Sequence, residues 1–178
     1  MMPTDYLAQF AHLHTAVSRS HWSAATRHRA PNKPLLLLAV LDSAAQGTLT
    51  ANLIEPTPDL GDLFAGYWAC VMPAERRGNL AMPFFHLRAD GFWHLVAKPG
   101  KEPAVAAIKT MTSLAQVRDL LLGAHLDDDL FLALHDPSRR DLLRGVLIET
   151  YFAPDLHAQL LAQGKTKVAT FAYARTQI

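Results

Sequence analysis

Two segments of the sequence combine residue types that could bind an anion. The first, at 27–42 (RHRAPNKPLLLLAVLD), joins a cationic run to a strongly apolar stretch. The second, at 82–95 (MPFFHLRADGFWHL), brings a proline, aromatic residues and histidines together. A cationic run before a helix start is well placed to bind phosphate. The two segments therefore favour a protein that binds the nucleic-acid backbone over an enzyme.

The distribution of charge supports this interpretation better than its total, since the formal net charge of the 178 residues is only +1. No acidic residue lies between Asp5 and Asp42. The basic and imidazole side chains of that stretch are His12, His14, Arg19, His21, Arg27, His28, Arg29 and Lys33. Acids gather elsewhere, notably at 127–129 (DDD), so we expect one face of the protein to be basic and another acidic.

Catalytic and metal-binding alternatives have little support in the sequence. It has no nucleophile elbow, no glycine-rich phosphate loop, no paired Cys-x-x-Cys and no HNH-type motif. His12 and His14 are two residues apart in a predicted helix and would face away from each other. One pattern is similar to a nuclease motif: Pro154-Asp155 followed by Gln163-x-Lys165. Metal-dependent nucleases hold such groups on adjacent strands, whereas this segment is a predicted helix. We therefore expect a protein that is not an enzyme, with no metal and no cofactor.

Composition indicates a cytoplasmic protein without a membrane segment. The single cysteine, Cys70, cannot form an internal disulfide, and no signal sequence opens the chain. The longest apolar run, at 35–41, is far shorter than the roughly twenty residues that span a bilayer.

Hydrophobic spacing predicts a helix-rich α+β fold. We expect helices at 4–20 and 33–46, an extended segment at 48–54, and a third helix starting at 56–59. The buried side of that third helix carries Leu60, Leu63, Phe64, Tyr67 and Trp68. Strands at 80–88 and 92–98, joined through Asp90-Gly91, read as a β-hairpin. Three helices and a hairpin wing predict a winged-helix-like core.

A C-terminal helical bundle should follow this core. Its predicted helices span 113–124, 127–135, 138–151 and 154–163. From Gln163 onward the amphipathic pattern is lost. We therefore expect one domain at 1–163 and, at 164–178, a tail or a linker towards a further domain.

Three motifs carry a family resemblance: APNKPLLLLAVLD, MPFFHLRADGFWHL and LLRGVLIETYF. In order and spacing they resemble the sulfur-binding domain of bacterial HNH-type restriction endonucleases, over roughly Tyr6 to Phe152. The resemblance implies binding of duplex DNA in which sulfur replaces a non-bridging phosphate oxygen. It also implies that a separate HNH nuclease, fused or partnering, does the cutting.

The resemblance assigns roles to individual residues. The phosphate-contacting pair after Ala-Pro, His then Lys or Arg in the family, falls on Asn32 and Lys33. The Tyr-Pro step of the sulfur pocket falls on Met82 and Pro83, with Phe85 and His86 as further wall. A later cationic contact has three candidates: Arg88, Lys98 and Lys101. From their place before a helix start, we add Arg27, His28 and Arg29 to the predicted DNA contacts.

Simpler interpretations stay open for the same residues. Pro83, Phe84 and Phe85 could be a strand entering the core, and 27–29 could be a solvated loop. For the whole chain, the alternative is a winged-helix regulator of unmodified DNA. Against it, the third predicted helix carries Asp59 and Asp62 and no Arg, Asn or Gln to read base edges. A protein-interaction domain with an exposed aromatic hairpin is the third possibility.

Overall fold

A computed structural model describes the backbone of residues 4–176 and the side chains of residues 6–165. Two short 3₁₀-helices, Ala24–Thr26 and Leu87–Asp90, accompany the regular elements. The two strands are β1 Trp93–Ala97 and β2 Leu121–Leu126. The α-helices are α1 Thr4–Ala11, α2 Asn32–Ala45, α3 Pro58–Val71, α4 Ala81–His86, α5 Glu102–Ala107, α6 Leu114–Leu120, α7 Asp128–Leu134, α8 Pro137–Tyr151 and α9 Pro154–Thr176.

Helix α2 is the centre of the core. Every residue from Leu35 to Leu41 is buried, because α3, α4, α7, α8 and α9 pack around the helix. A helix surrounded in this way is apolar on all its faces, which explains the uninterrupted run of leucines. The prediction of a helix at 33–46 is confirmed to within a residue at each end.

Most of the other predicted helices are confirmed as well. Helix α3 begins after Thr57, whose hydroxyl accepts a hydrogen bond from the backbone N–H of Leu60 at 3.1 Å. The five residues assigned to its buried side are buried. Helices α7 and α8 match their predicted spans, and α9 continues past the predicted end to Thr176. The division of the chain at residue 163 stays a prediction.

The predicted hairpin is wrong, although its second strand, at 92–98, is confirmed as β1. Residues 81–86 form helix α4, and β1 pairs in antiparallel register with β2, far along the chain, rather than with 80–88. Leu80, Ala81, Phe84 and Leu87 recur at helical spacing and are all buried, so one face of a short helix enters the core. Pro83 lies in the first turn of that helix, where no intrahelical partner is needed for a backbone N–H. Gly91 takes a positive φ of 89° to end the following 3₁₀-helix instead of turning a hairpin.

Two further predictions need correction. The helix expected at 4–20 ends at Ala11, because the N–H of Leu13 donates to the hydroxyl of Tyr151 at 2.8 Å and leads the chain away from the helix. The helix expected at 113–124 ends at Leu120 and passes directly into β2. Ile54, in the segment predicted as extended, bridges Ala124 of β2. A helix-rich α+β fold is therefore confirmed, whereas the winged-helix arrangement is not.

No helix in the described part of the chain is both long enough and apolar enough to cross a bilayer.

Gly123 allows a tight contact inside this small sheet. A Cβ at residue 123 would collide with the carbonyl oxygen of Ile54, which also accepts a hydrogen bond from the N–H of Ala124 at 2.9 Å. We expect Gly123→Ala to lower the free energy of unfolding by about 1–3 kcal/mol. Gly61→Ala in α3 is the matched control, because its added methyl group meets nothing within 4 Å. It should stabilise by about 0.4–1 kcal/mol. Urea unfolding measures both; equal effects would contradict the steric argument.

Candidate nucleic-acid interface

A groove of about 390 Å³ lies where the first turns of α2 and α4 meet. Its apolar lining consists of Ala16, Ala30, Met82, Pro83 and Ala89. Its polar lining consists of His14, Thr15, Asn32, Lys33 and His86. Although the hairpin is absent, the structure therefore brings together the two segments that the sequence analysis singled out.

The start of α2 borders this groove and carries hydrogen-bond donors. The first backbone N–H groups of a helix have no acceptor within it, and they attract anions. Pro31 and Pro34 have no N–H, so Asn32 and Lys33 supply the donors of this turn. Asn32 is half-buried, with its amide side chain in the lining of the groove.

Lys33 and Asp90 form a buried ion pair at one wall of the groove. The Lys33 ammonium, only 9% exposed, donates to Asp90 Oδ2 and to the His14 carbonyl, both at 2.6 Å. Asp90 Oδ1 accepts the backbone N–H of His14 at 2.7 Å and lies 3.0 Å from its ring nitrogen Nδ1. One carboxylate thus holds the start of α2, the segment after α1 and the turn after α4. One of the three N–H donors of Lys33 remains for a ligand.

Another wall of the groove is formed by the loop at 12–31, whose two arms are joined by hydrogen bonds. Ala30 N–H donates to the Ala16 carbonyl at 2.8 Å, and Val17 pairs with Arg29 in an isolated antiparallel bridge. Arg29 is exposed, with its guanidinium 3.4 Å from the Thr15 hydroxyl. Arg27 and His28 take the left-handed backbone conformation, with φ of 54° and 60°. Such φ values are uncommon for residues other than glycine, so this loop has a defined shape.

A family model for the ScoMcrA-like DNA sulfur-binding domain matches residues 10–165. The chain belongs to this family. No curated protein is similar to it in sequence. The resemblance drawn from the three motifs is thereby confirmed, and the family is one of DNA-binding rather than catalytic domains.

Within this DNA sulfur-binding domain, the helical form of residues 81–86 decides which side chains reach the groove. Met82 and His86 are four residues apart and share a helix face, which is the face that lines the groove. Phe85 is fully buried and does not line this groove, so the groove gives no support to its prediction as pocket wall. Its ring instead supports Arg88, whose guanidinium carbon lies 4.0 Å above the ring centroid.

His86 is held at the edge of the groove in a way that favours its neutral form. Its Nε2 lies 2.9 Å from the Thr110 hydroxyl, which in turn is 4.0 Å from the sulfur of Met82. Burial, and then the charges of Lys33 and Arg88, lower the pKa of His86. His86 therefore contributes less positive charge to the groove of the free domain than an ordinary imidazole would.

The remaining predicted cations lie farther from the groove lining. Arg27 donates to the Glu149 carbonyl of α8 at 3.3 Å. Lys98 follows β1, and Lys101 directly precedes α5; neither lines the groove. Sequence reasoning missed Thr15, Ala16, Ala30 and Ala89, because small residues carry no chemical signal of their own. Asp90 could have been identified from the sequence, because it is the one acidic residue of segment 82–95. The sequence analysis used it as part of a turn instead.

The histidines of the basic stretch are engaged separately. His12 Nδ1 lies 2.8 Å from the Ala8 carbonyl, whereas His14 faces Asp90. Among the side chains of residues 6–165, no three His, Cys, Asp or Glu are grouped as a metal site would require.

The Lys33–Asp90 pair should be essential for stability. With side-chain exposures of 9% and 2%, removing one partner leaves a buried charge unpaired. We expect Asp90→Leu to lower the free energy of unfolding by about 3–5 kcal/mol. The double variant Lys33→Met/Asp90→Leu should lose much less, since it buries no unpaired charge. Asp129→Asn, at an exposed site, serves as control in the same urea titrations. A double variant as unstable as Asp90→Leu would contradict the ion-pair account.

Proposed function

We propose that the domain recognises phosphorothioate-modified duplex DNA and that the groove around Met82 and Pro83 accepts the sulfur atom. The observation that carries this proposal is an apolar groove beside the start of α2, where Asn32 and Lys33 supply backbone N–H donors, in a chain of the DNA sulfur-binding family. An apolar surface next to anion-binding groups suits an anionic ligand that carries one polarisable, weakly hydrated atom.

The chemistry of the sulfur atom explains why such a groove discriminates. A sulfur in place of a non-bridging oxygen is larger, more polarisable and less strongly hydrated. The thioether of Met82 and the ring of Pro83 offer soft contacts at little desolvation cost. An oxygen in the same place would lose hydrogen bonds to water, at a cost of about 1–3 kcal/mol. That difference corresponds to roughly tenfold to hundredfold in affinity.

Groups around the groove supply the affinity. The N–H groups of the first α2 turn, the Asn32 amide and the remaining donor of Lys33 face the phosphate that carries the sulfur. Arg29 and Arg88, both exposed, meet phosphates on either side. Such contacts strengthen binding without reading sequence, so they act equally on modified and unmodified DNA. Lys33 adds a donor but little net charge, because Asp90 neutralises it.

We place the domain in a defence system in the cytoplasm, as the targeting part of a modification-dependent restriction enzyme. Recognition by this domain would direct a separate HNH nuclease, fused or partnering, to sulfur-bearing DNA. The match to a DNA sulfur-binding family supports this proposed role, and the apolar groove is consistent with it.

The alternative of a winged-helix regulator has lost its structural basis. Its wing was the hairpin that α4 replaces. Helix α3, the candidate reading helix, exposes Asp59 and Asp62 beside a groove that Glu55 also lines. Three carboxylates on that surface would repel the phosphates of a duplex.

Changing the polarity of the groove without changing its shape tests sulfur recognition. Met82→Gln keeps the length of the side chain but introduces an amide, so we expect the preference for modified over unmodified duplex to fall to a few-fold. Met82→Leu stays apolar and should keep a preference of roughly tenfold or more. Fluorescence anisotropy with identical duplexes, with and without one sulfur of each stereochemistry, measures the ratio. Equal binding of both duplexes by the unchanged protein would sink the sulfur proposal.

The salt dependence of binding tests the flanking cations. Arg29→Gln and Arg88→Gln should each reduce the slope of log affinity against log salt by about 0.9, as expected for one lost phosphate contact. The sulfur preference should remain, because neither side chain lines the groove. Arg118→Gln removes the same charge beside the Pro56 carbonyl, near the acidic face, and should leave the slope unchanged. An unchanged slope in the Arg29 or Arg88 variant would exclude that residue from the interface.

A further inference from the structure

A second cationic site lies in the connection between α3 and α4. The guanidinium of Arg76 stacks 4.0 Å from the centroid of the Trp22 ring and donates to the His21 carbonyl. The carbonyl of Arg76 in turn accepts the indole N–H of Trp68 at 2.7 Å. A Cβ at Gly78 would lie 2.7 Å from the Trp68 ring, so only glycine lets the turn close this tightly. Arg76 is therefore fixed in position before any ligand arrives.

The charge of this site is not compensated by an ion pair. Among the ion pairs of the described residues, none includes Arg76 or Arg77. Arg77 is exposed, and both arginines line a shallow depression of about 480 Å³ beside Trp68. The neighbouring acid, Glu75, is exposed next to them in the chain. The stacking on Trp22 explains how Arg76 holds a loop, but it gives Arg77 no structural role.

The loop that Arg76 holds is the same loop that forms a wall of the groove. Its outer part is joined by hydrogen bonds from Trp22 N–H to the Ser18 carbonyl and from Ser18 N–H to the His28 carbonyl, both at 2.9 Å. Its inner part contains the Val17–Arg29 bridge and the Ala30–Ala16 hydrogen bond at the groove. The loop at 12–31 thus contacts both the groove and Arg76, contains no acidic residue, and exposes Arg19 and Arg27.

We infer that the duplex continues along this loop and that Arg76 and Arg77 bind backbone phosphates several nucleotides away from the sulfur, on one side only. This inference rests on the proposed function for its ligand. The site extends the footprint beyond the groove and adds affinity that is independent of the modification, because the arginines contact phosphates that carry no sulfur.

Salt titrations with Arg77→Gln and Arg76→Gln/Arg77→Gln test the inference. We expect the slope of log affinity against log salt to fall by about 0.9 in the single variant and about 1.8 in the double variant. The ratio between modified and unmodified duplex should stay unchanged. Shortening the duplex on one side of the sulfur should abolish the difference between variant and unchanged protein, whereas shortening it on the other side should preserve that difference.

Controls separate this site from folding and from the groove. Arg118→Gln/Lys165→Gln removes two charges elsewhere and should leave the slope unaltered. Arg77→Gln keeps every contact that fixes the loop. Its salt slope therefore tests the inference even if the double variant melts at a lower temperature. A slope unaltered by Arg77→Gln, or altered equally by the control, overturns the inference. Equal binding of both duplexes with the expected slopes overturns only the sulfur proposal, and absence of duplex binding at low salt overturns both.

Discussion

Asp90 determines what kind of groove this domain presents. Its carboxylate accepts hydrogen bonds from Lys33 and from the backbone of His14, and so fixes three separate segments around one space. It also cancels the charge of Lys33 at that wall. A groove lined by an unpaired ammonium would attract any phosphate oxygen strongly. With the charge cancelled, the lining is close to neutral and mostly apolar, which suits a soft and weakly hydrated atom. The selectivity proposed for the domain thus depends on a carboxylate that never touches sulfur.

In the proposed mode of binding, the groups that supply affinity and the groups that supply selectivity are separated in space. Arg29 and Arg88 are exposed outside the groove lining, and the ring of Phe85 supports Arg88. Farther away, the ring of Trp22 supports the half-buried Arg76 in the same way. Stacked guanidinium groups lose little additional side-chain entropy when they bind a phosphate. At Met82 and Asn32 the chain departs from the family pattern, and both departures fit this division between sulfur contacts and phosphate contacts. Met82 keeps an apolar surface where the family has an aromatic one, and Asn32 offers an amide where the family has an imidazole.

The sequence predicted what local spacing determines and missed what distant contacts determine. The leucine run of α2 and the capped start of α3 carry their own signals, and both helices were predicted correctly. The hairpin failed because β1 pairs with the distant β2 and because residues 81–86 bury one face of a helix in the core, and the local Asp90-Gly91 turn signal reveals neither contact. The burial of Phe85 was not foreseen either, since it follows from α4 being a helix. The site residues came from the matched motifs, and geometry added the alanines that give the groove its shape.

The apolar helix α2 carries a buried ion pair at each end, and this has a consequence for how the groove is positioned. Near its start Lys33 meets Asp90, and near its end Asp42 accepts from Arg144 of α8 at 2.7 Å and from the hydroxyl of Tyr67. Burial and the neighbouring Asp42 raise the pKa of Tyr67, so its hydroxyl stays protonated as a donor. A helix covered only by leucines could slide or rotate by one residue at little cost. Any such shift would leave Lys33 or Asp42 buried without its partner, at several kcal/mol, on the order of the whole stability of a domain. The two pairs therefore fix the register of α2, and with it the position of the donors that face the groove.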